Sequence, residues 1–301
     1  MRVALVTYRR LPELDPDDRP LAEELRRRGH RVAVTLWDDG AADWSSFDVA
    51  VLRSTWDYFH RRDEFLAWAA RVATATRLLN PLHLVRWNSH KSYLVELARR
   101  GAAVIPTEIA RAGSTLDVRA RMAERGWTRA VLKPAVSVDA YGTILVDDAT
   151  MGAAQAHAMA LLAERDVMIQ PYFASVEDPG ERCLVHIGGR FSHAVRKRSL
   201  FLGGRHAGPE GVPVEAEADE RAEAARVLRL AGAEGALYAR VDLARDEGGR
   251  PCLMELELVE PTLFFLCAPA AAERMADALE ARVSVPRHDG GGGAGATGAP
   301  T

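Results

Sequence analysis

The chain has 301 residues, of which 48% are hydrophobic and 27% charged, proportions typical of a soluble globular protein. Its 39 basic and 42 acidic side chains give a formal net charge of −3, which excludes a protein held to nucleic acid by a basic surface. No apolar run approaches the roughly 20 residues of a membrane span, and Met1 leads directly into a strand pattern rather than a signal peptide. We therefore expect a cytoplasmic protein without nucleic-acid or membrane partners.

Strands alternate with helices over the first 85 or so residues. Strands are predicted at 2–7, 31–37 and 49–52, and helical patterns at 17–29 and 63–73. Nearly continuous apolar strands of this kind form a parallel sheet covered on both faces. The third strand continues into the polar and aromatic segment 53–58, at the sheet edge where α/β proteins bind ligands. A ligand-binding loop and a loop packed on its own aromatic rings fit this segment equally well.

The rest of the chain mixes helices and strands and ends in a glycine-rich tail. Helices are predicted at 89–101, 116–126, 150–164 and 217–231. Strands are predicted at 130–134, 144–146, 167–172, 182–187, 190–196, 236–243 and 252–259, the later ones forming an antiparallel sheet. The tail from about residue 288 has little to bury and is expected to be disordered.

Lysine is rare in this chain. Only Lys91, Lys133 and Lys197 of the 39 basic residues are lysine, and each falls at a predicted strand end or helix start. A G+C-rich genome would favour arginine codons and remove lysine wherever arginine serves equally well. The three lysines are therefore candidates for positions that need a compact ammonium group, such as a phosphate site. The three cysteines show no CxxC spacing and are expected to be small apolar core residues.

The strongest local signal is a predicted hairpin formed by segments 238–243 and 253–258. A loop of two or four residues would pair residue 242 with residue 253. That pairing places one basic and three acidic side chains on one face: Arg240, Asp242, Glu255 and Glu257. Clustered carboxylates repel one another unless a cation compensates, and oxygen ligands of this kind suit Mg²⁺. A strand whose carboxylates face water fits equally well, and a loop of three or five residues would break the shared face.

Several short motifs follow one another in a characteristic order. They are Lys91, Val131-Leu132-Lys133-Pro134, a loop of small residues, Gln170-Pro171-Tyr172, Lys197, Arg240-Val241-Asp242 and Glu255-Leu256-Glu257. This order resembles the ATP-grasp superfamily of carboxylate-amine ligases over about residues 1–270. Four segments are similar, more narrowly, to the cyclo-ligases that close O-ureido-D-serine to D-cycloserine: Ser54–Tyr58, Phe191–Val195, Tyr238–Leu243 and Glu255–Pro261.

The resemblance implies an ATP-grasp fold of mixed α/β and α+β class. A pre-ATP-grasp domain with a parallel sheet would occupy residues 1–87. Two α+β lobes would clamp ATP, a small lobe over 88–168 and a large antiparallel lobe with the metal site over 169–287. The disordered tail would cover 288–301.

The resemblance also implies a role for each motif. ATP would be bound by Lys91, Lys133, Ser137, Gly142, Thr143, Gln170, Tyr172, Glu177 and Glu181, with Glu177 on the ribose hydroxyls. Lys197 would contact the γ-phosphate, and Arg240 would stabilise the transferring group. Two Mg²⁺ ions would be bound by Asp242, Glu255 and Glu257, the last of which replaces an asparagine found in many members. The substrate pocket is expected among Arg53, Ser54, Thr55, Trp56, Arg205 and Glu260.

The implied reaction converts the carboxylate of a small amino-acid-like substrate into an acyl phosphate, which a nitrogen atom then attacks. In one alternative the nitrogen belongs to the same substrate and a ring closes. In a second, an intermolecular ligase joins an amino acid to a separate amine or peptide and needs an acceptor pocket. A third is a nucleotide-binding regulator without catalysis, disfavoured because the charged motif residues are all present. The oligomeric state stays open, with a homodimer as one arrangement.

Overall fold

Three β-sheets with flanking helices make up the part of the chain that the computed structural model describes, residues 1–138, 140–197 and 211–284. Arg205 and the tail 288–301 lie outside these ranges, so the expectations for them are not addressed. Within them, no helix is long and apolar enough to cross a lipid bilayer.

The first sheet is parallel, as predicted. Its strands are β1 (Arg2–Thr7), β2 (Arg31–Leu36), β3 (Val49–Ser54) and β4 (Arg77–Leu79), in the spatial order β2-β1-β3-β4, with helices α1 (Arg19–Arg27) and α2 (Arg62–Ala75) between them. Alternate residues of β1 contribute to two different cores, Val3 and Leu5 to the one that contains α1, and Ala4 and Val6 to the one that contains α2. Helices therefore cover both faces. β4 was not predicted because three residues carry no recognisable period.

The second sheet is antiparallel and small. Its strands are β5 (Glu108–Ala110), β6 (Ala130–Pro134), β7 (Ile144–Val146) and β8 (Val167–Pro171), in the order β5-β8-β6-β7, with helices α5 (Val118–Arg125) and α6 (Met151–Leu162) packed beside it. Asp117 caps the start of α5 and Gly126 ends it in a left-handed conformation. The predicted lobe boundary between residues 168 and 169 is wrong, because it falls inside β8, which pairs with β6 as far as Pro171.

The third sheet has five antiparallel strands. They are β9 (Glu181–Ile187), β10 (Arg190–Lys197), β11 (Val212–Val214), β12 (Tyr238–Arg245) and β13 (Pro251–Glu257), in the order β11-β10-β9-β12-β13. Helices α3 (Leu82–Asn88), α4 (Tyr93–Arg99) and α7 (Ala218–Leu230) share an apolar core with this sheet. Residues 88–99 thus pack on the large sheet rather than in the small lobe where they were predicted. The last helix, α8 (Ala270–Val283), returns to α1, where Arg28 pairs with Asp277 and Glu280.

The β12–β13 hairpin keeps its four charged side chains together in an unexpected way. Arg245 pairs with Pro251, so the loop has five residues, and the predicted pairing of 242 with 253 is wrong. A five-residue loop alone would turn Glu255 to the opposite face. An irregularity that leaves Met254 unpaired corrects this, because Asp242 then lies opposite Glu255 and Arg240 opposite Glu257. The shared face is confirmed, although the register that was expected to produce it is not.

Candidate active site

A cleft of about 270 Å³ lies where the ends of strands from the second and third sheets meet the segment that follows β3. The second sheet contributes Lys133 and Gln170, and the third contributes the charged face of the hairpin. Trp56 and Tyr58, which follow β3, close one side. A concave site at the junction of structural units, with polar groups set in apolar walls, is where small-molecule sites usually occur.

All three lysines of the chain line this cleft. The Lys91 ammonium contacts one carboxylate oxygen of Glu255, and Lys133 Nζ lies 3.6 Å from the other. Lys197 Nζ lies 3.8 Å from a carboxylate oxygen of Glu181. The structure therefore brings together the residues that the lysine count singled out. Three ammonium groups around one cleft suit a ligand with several negative charges, such as a nucleoside triphosphate.

The pKa values of Lys91 and Lys133 are shifted in opposite directions by the balance between burial and the Glu255 carboxylate. Burial lowers the pKa of Lys91, but contact with Glu255 more than offsets this and holds the pKa above its ordinary value. Burial also lowers the pKa of Lys133, and Glu255 offsets this only in part because Lys91 lies nearby. Burial raises the pKa of Glu255 itself, yet the two lysines together hold it well below its usual range.

Arg240 is the centre of the hairpin's charged face. Its Nε and Nη2 lie 2.9 and 2.8 Å from the two carboxylate oxygens of Asp242, and Nη2 also contacts Glu257. Its Nη1 donates to the Thr262 carbonyl at 3.2 Å, and the guanidinium carbon lies 5.6 Å from the centre of the Phe264 ring. These five contacts hold the planar guanidinium in one orientation, and a lysine ammonium could not make all of them.

Three carboxylates of the cleft hold their protons unusually tightly: Glu257, Glu181 and Glu260, the last because burial and the nearby Glu257 raise its pKa well above the ordinary value. Burial raises the pKa of Glu257 to about 7, against the opposing charge of Arg240 and with the help of Asp242 and Glu255. Burial likewise raises the pKa of Glu181 to about 7, against Lys197 and with the help of Asp242. Negative charge is thus crowded around Asp242 beyond what the nearby bases neutralise, which is the condition that a bound cation relieves.

The donor set fits a hard divalent cation. Asp242, Glu255 and Glu257 face one another as oxygen ligands on two paired strands, the ligand type that Mg²⁺ prefers. The tightest grouping of potential ligand atoms, all within 4.8 Å of one another, joins Asp242 to Glu181 and Cys183. Burial raises the pKa of the Cys183 thiol far above its ordinary value, so the thiol stays protonated and the oxygens are the available ligands. Glu181 thereby joins the candidate metal ligands, although the sequence placed it near the nucleotide ribose.

The opposite end of the cleft is apolar. Ile105, Val131, Phe173 and Val176 line it, and buried Gln170 donates to Thr107 Oγ1 at 2.8 Å. Such a slot between two sheets suits a flat heteroaromatic ring.

Glu177 was expected on the ribose hydroxyls, but it does not line the cleft in the described structure. It accepts hydrogen bonds from the Tyr172 hydroxyl at 2.6 Å and from Arg129 at 3.3 Å, and the Arg129 guanidinium lies 4.2 Å above the Tyr172 ring. Tyr172 and Glu181 do line the cleft, and Glu177 adjoins it through its bond to the Tyr172 hydroxyl.

The loop after β6 covers the lysine side of the cleft. Ser137, Val138, Ala140 and Thr143 line it. Gly142 does not, and its role is conformational: its φ is +66°, and a Cβ there would come within 3.0 Å of the Pro134 ring. Gly142 thus allows the loop to fold back on its strand rather than contacting a ligand.

The expected substrate residues fall into two groups. Trp56 and Glu260 line the cleft, whereas Arg53, Ser54 and Thr55 are buried behind it. Arg53, 1% exposed, pairs with Asp18 at 2.7 Å and donates to the Pro261 carbonyl at 2.8 Å, while Ser54 donates to Asp18 at 2.9 Å. Placing Arg53, Ser54 and Thr55 in the pocket was wrong, because a polar run at a strand end serves equally well to join the first sheet to the third.

Sequence reasoning missed several residues of the cleft wall, among them Tyr58, Asn88 and Tyr93. A signal existed for one of them. Asn80 and Asn88 are the chain's only asparagines, and asparagine codons are as poor in G and C as those of lysine. A G+C-rich genome would therefore remove asparagine, like lysine, wherever another residue serves equally well. By that argument Asn80 and Asn88 are candidates for positions with a specific role.

Solved structures of ATP-grasp enzymes superpose on this chain over most of its length. A RimK domain ATP-grasp protein from Sphaerobacter thermophilus DSM 20745 superposes with a TM-score of 0.67 at 21% identity, covering 92% of this chain and 98% of that one. D-alanine–D-alanine ligase from Bacillus anthracis, solved with ATP, gives 0.66 at 15% identity over 94% and 97%. Fold and site together define an ATP-grasp enzyme, a ligase that uses ATP to form a carbon–nitrogen bond.

Residues 3–80 match the family model described as the N-terminal domain of the D-cycloserine synthetase DcsG. The chain is 37% identical to the cycloserine biosynthesis protein DcsG of Streptomyces lavendulae over 305 residues, covering 93% of this chain and 98% of that protein. The crystal structure of D-cycloserine synthetase DcsG superposes with a TM-score of 0.85 at 35% identity, covering 94% and 100%. This chain belongs to the DcsG family.

Proposed function

We propose that this enzyme closes O-ureido-D-serine to D-cycloserine in the cytoplasm, using ATP and Mg²⁺. One observation carries the proposal: every lysine of the chain converges with Arg240 and the hairpin carboxylates in a single cleft. The similarity to a D-cycloserine synthetase over nearly the whole chain supports the choice of substrate.

Lys91 and Lys133 are the proposed ligands of the ATP phosphates. Both pair with Glu255. A bound triphosphate would therefore replace this carboxylate as the partner of the two ammonium groups. Glu255 would then be available, with Asp242 and Glu257, to bind Mg²⁺. When bound, Mg²⁺ supplies positive charge that neutralises the terminal phosphates.

Lys197 and Arg240 are proposed to act on the transferred phosphoryl group. The substrate carboxylate attacks the terminal phosphorus, and the acyl phosphate formed carries charge that both side chains stabilise. Because Asp242 and Thr262 fix the Arg240 fork before substrate arrives, little reorganisation is needed as charge develops. No covalent enzyme intermediate is required.

Ring closure follows when the nitrogen bonded to oxygen in the ureido group attacks the acyl carbon and expels phosphate. D-cycloserine retains only that nitrogen of the ureido group, so one water molecule must hydrolyse the bond between that nitrogen and the carbamoyl carbon. The carbamic acid released decomposes to carbon dioxide and ammonia. The nucleophile belongs to the activated molecule itself, and the cleft needs to hold one small substrate beside the nucleotide.

The test is ADP release from O-ureido-D-serine with and without added amines, together with mass spectrometry of the product. We expect ADP and D-cycloserine to form in equal amounts without any amine, and neither to form when EDTA removes Mg²⁺. ADP formation that depends on an added amine would instead identify an intermolecular ligase. No ADP with any amino-acid-like carboxylate would identify a nucleotide-binding regulator.

A further inference from the structure

In the part of the chain that the structure describes, Glu260 is the carboxylate of the cleft that makes no ion pair with a basic side chain. Among the described residues, five carboxylates line the cleft and four pair with a lysine or arginine: Glu181 with Lys197, Asp242 and Glu257 with Arg240, and Glu255 with Lys91 and Lys133. Glu260 makes no ion pair within residues 1–138, 140–197 and 211–284. Burial, together with the nearby Glu257 and Glu255, raises the pKa of this carboxyl well above its ordinary value, and a positively charged ligand is what would offset the cost of its ionised form.

The backbone that carries Glu260 is fixed by three side chains from different parts of the chain. The Trp56 indole donates to the Glu260 carbonyl at 3.0 Å, and Arg53 donates to the Pro261 carbonyl at 2.8 Å. Arg240 donates to the Thr262 carbonyl at 3.2 Å. The backbone from Glu260 to Thr262 therefore has a defined position, and the Glu260 carboxyl lies close enough to Glu257, which contacts the Arg240 guanidinium, for the charge of Glu257 to raise its pKa.

The surroundings of the Glu260 carboxylate suit an ammonium group. The Tyr58 hydroxyl hydrogen-bonds to it, and Trp56 and Tyr58 line the same part of the cleft. Aromatic rings beside a carboxylate add cation–π attraction for a positive ligand. The Lys91 ammonium lowers the pKa of Glu260 through its charge but is in contact with Glu255 instead.

We propose that Glu260 binds the α-ammonium group of the substrate. In an α-amino acid the ammonium and the carboxylate share one carbon atom, so the residue that binds one must lie beside the residue that handles the other. Glu260 and Arg240 line one cleft, and Arg240 donates to the carbonyl of Thr262, two residues after Glu260, so the pair is placed to meet this requirement. The inference rests on the proposed function, since it assumes that the activated carboxylate belongs to an amino acid.

The test compares O-ureido-D-serine with its analogue that carries hydrogen in place of the α-amino group, in the wild type and in Glu260→Gln. We expect the wild type to show a KM about 10- to 100-fold higher for the analogue, the usual range for a lost charge-assisted hydrogen bond. Glu260→Gln should raise the KM for O-ureido-D-serine by a similar factor while leaving the KM for the analogue and for ATP nearly unchanged. The selectivity between the two substrates should therefore disappear.

Glu247→Gln is the matched control, because Glu247 lies exposed in the hairpin loop, and it should keep the wild-type selectivity. Glu260→Asp, with the carboxylate withdrawn by one methylene, should be intermediate. The inference is overturned if Glu260→Gln keeps the selectivity, or if it lowers kcat equally for both substrates without changing KM, which would indicate proton transfer. If the glutamine variant does not fold, equal KM values for the two substrates in the wild type also overturn it. No turnover of O-ureido-D-serine by the wild type would be a failure of the proposed function instead.

Discussion

Arg240 combines a structural and a chemical task in one guanidinium. It holds the Asp242 carboxylate with two nitrogens while presenting positive charge to the cleft. Burial raises the pKa of Asp242, but Arg240 more than offsets this, so Asp242 stays ionised as a cation ligand must. The arrangement depends on the shape of the side chain as well as on its charge.

Arg240→Lys should therefore impair turnover far more than nucleotide binding. The charge is kept, but the paired hydrogen bonds to Asp242 and the bond to Thr262 cannot form together. We expect kcat to fall by about 100-fold or more, the usual effect of removing a preorganised donor, with the KM for ATP changed by less than about threefold. Steady-state kinetics measure both. A kcat close to that of the wild type would contradict the proposed role.

Glu255 can be tested by an isosteric change. Glu255→Gln keeps the volume of the side chain but removes the charge that pairs with Lys91 and Lys133 and is proposed to bind Mg²⁺. We expect turnover to fall by more than about 100-fold, while circular dichroism shows a folded protein. Glu247→Gln, in the exposed loop of the same hairpin, should retain full activity. A Glu255→Gln enzyme with near-normal turnover and unchanged Mg²⁺ dependence would remove this residue from the metal site.

At the scale of elements, the position of the β12–β13 hairpin depends on which groups form hydrogen bonds with the backbone along the outer edge of β13. β13 lies at the end of the third sheet, and along the edge facing away from β12 the described chain pairs with it only at Leu253, through a bridge to Val104. Further along this edge Asn88 takes the place of a strand, donating to the Leu256 carbonyl and accepting from the Leu258 amide, both at 2.7 Å. The Tyr93 hydroxyl accepts from the Leu256 amide at 3.0 Å. Helices α3 and α4 thus act as a substitute strand behind Glu255 and Glu257.

Asn88→Ala should destabilise the protein measurably. It leaves the Leu256 carbonyl and the Leu258 amide buried without partners, and each such group costs about 1–3 kcal/mol. We expect the free energy of unfolding in urea to fall by about 2–4 kcal/mol. Tyr93→Phe removes one acceptor and should cost about half as much. A loss below about 1 kcal/mol in Asn88→Ala would show that water replaces the side chain.

Sequence patterns predicted the elements that bury a repeating apolar face and missed those that do not. α5 was found from its amphipathic period and α6 from its alanine-rich composition, whereas α3 has seven residues and was not separated from its surroundings. The hairpin shows a different limit. Alternation predicted which side chains share a face, but a five-residue loop and an irregularity at Met254, two offsetting features without a sequence signal, set the actual register.

The same limit explains why some candidate residues do not line the cleft. Arg53 and Lys133 both close a strand before a polar loop, and nothing local distinguishes a buried structural ion pair from a ligand site. The partner of Arg53 is Asp18, 35 residues earlier in the chain, and only the folded structure brings them together. Rarity was more informative than local pattern, since the rare lysines all proved to line the cleft.

At the scale of the whole molecule, the cleft concentrates charge that the rest of the chain balances. Five carboxylates and four bases from all three sheets or their connections face one space among the described residues, although the chain as a whole has a net charge of only −3. The excess negative charge explains why burial can raise the pKa of Glu181 and of Glu257 to about 7. At a pH between about 4.5 and 7, the folded protein therefore keeps protons on Glu181 and Glu257. The unfolded chain, in which these residues have ordinary glutamate pKa values, has released them.

This difference predicts that stability without Mg²⁺ falls as pH rises. Between about pH 4.5 and pH 7 the folded state binds more protons than the unfolded state at Glu181 and Glu257, so the free energy of unfolding decreases across that window. Mg²⁺ needs the deprotonated carboxylates, so its binding should release protons and strengthen with pH. We expect saturating Mg²⁺ to raise the Tm little at about pH 5.5 and by several degrees at about pH 8.

Calorimetry at several pH values, with and without Mg²⁺ and at constant ionic strength, measures the effect. Glu257→Gln removes one of the two titrating groups. Between about pH 5.5 and pH 7.5 the stability of this variant should therefore decline less steeply than that of the wild type. The difference between the two proteins isolates the contribution of Glu257 from that of all other titrating side chains. The variant should also gain less Tm from Mg²⁺ at high pH, because one oxygen ligand has lost its charge. Parallel pH profiles for the two proteins would show that Glu257 has an ordinary pKa and that the negative charge of the cleft is already compensated.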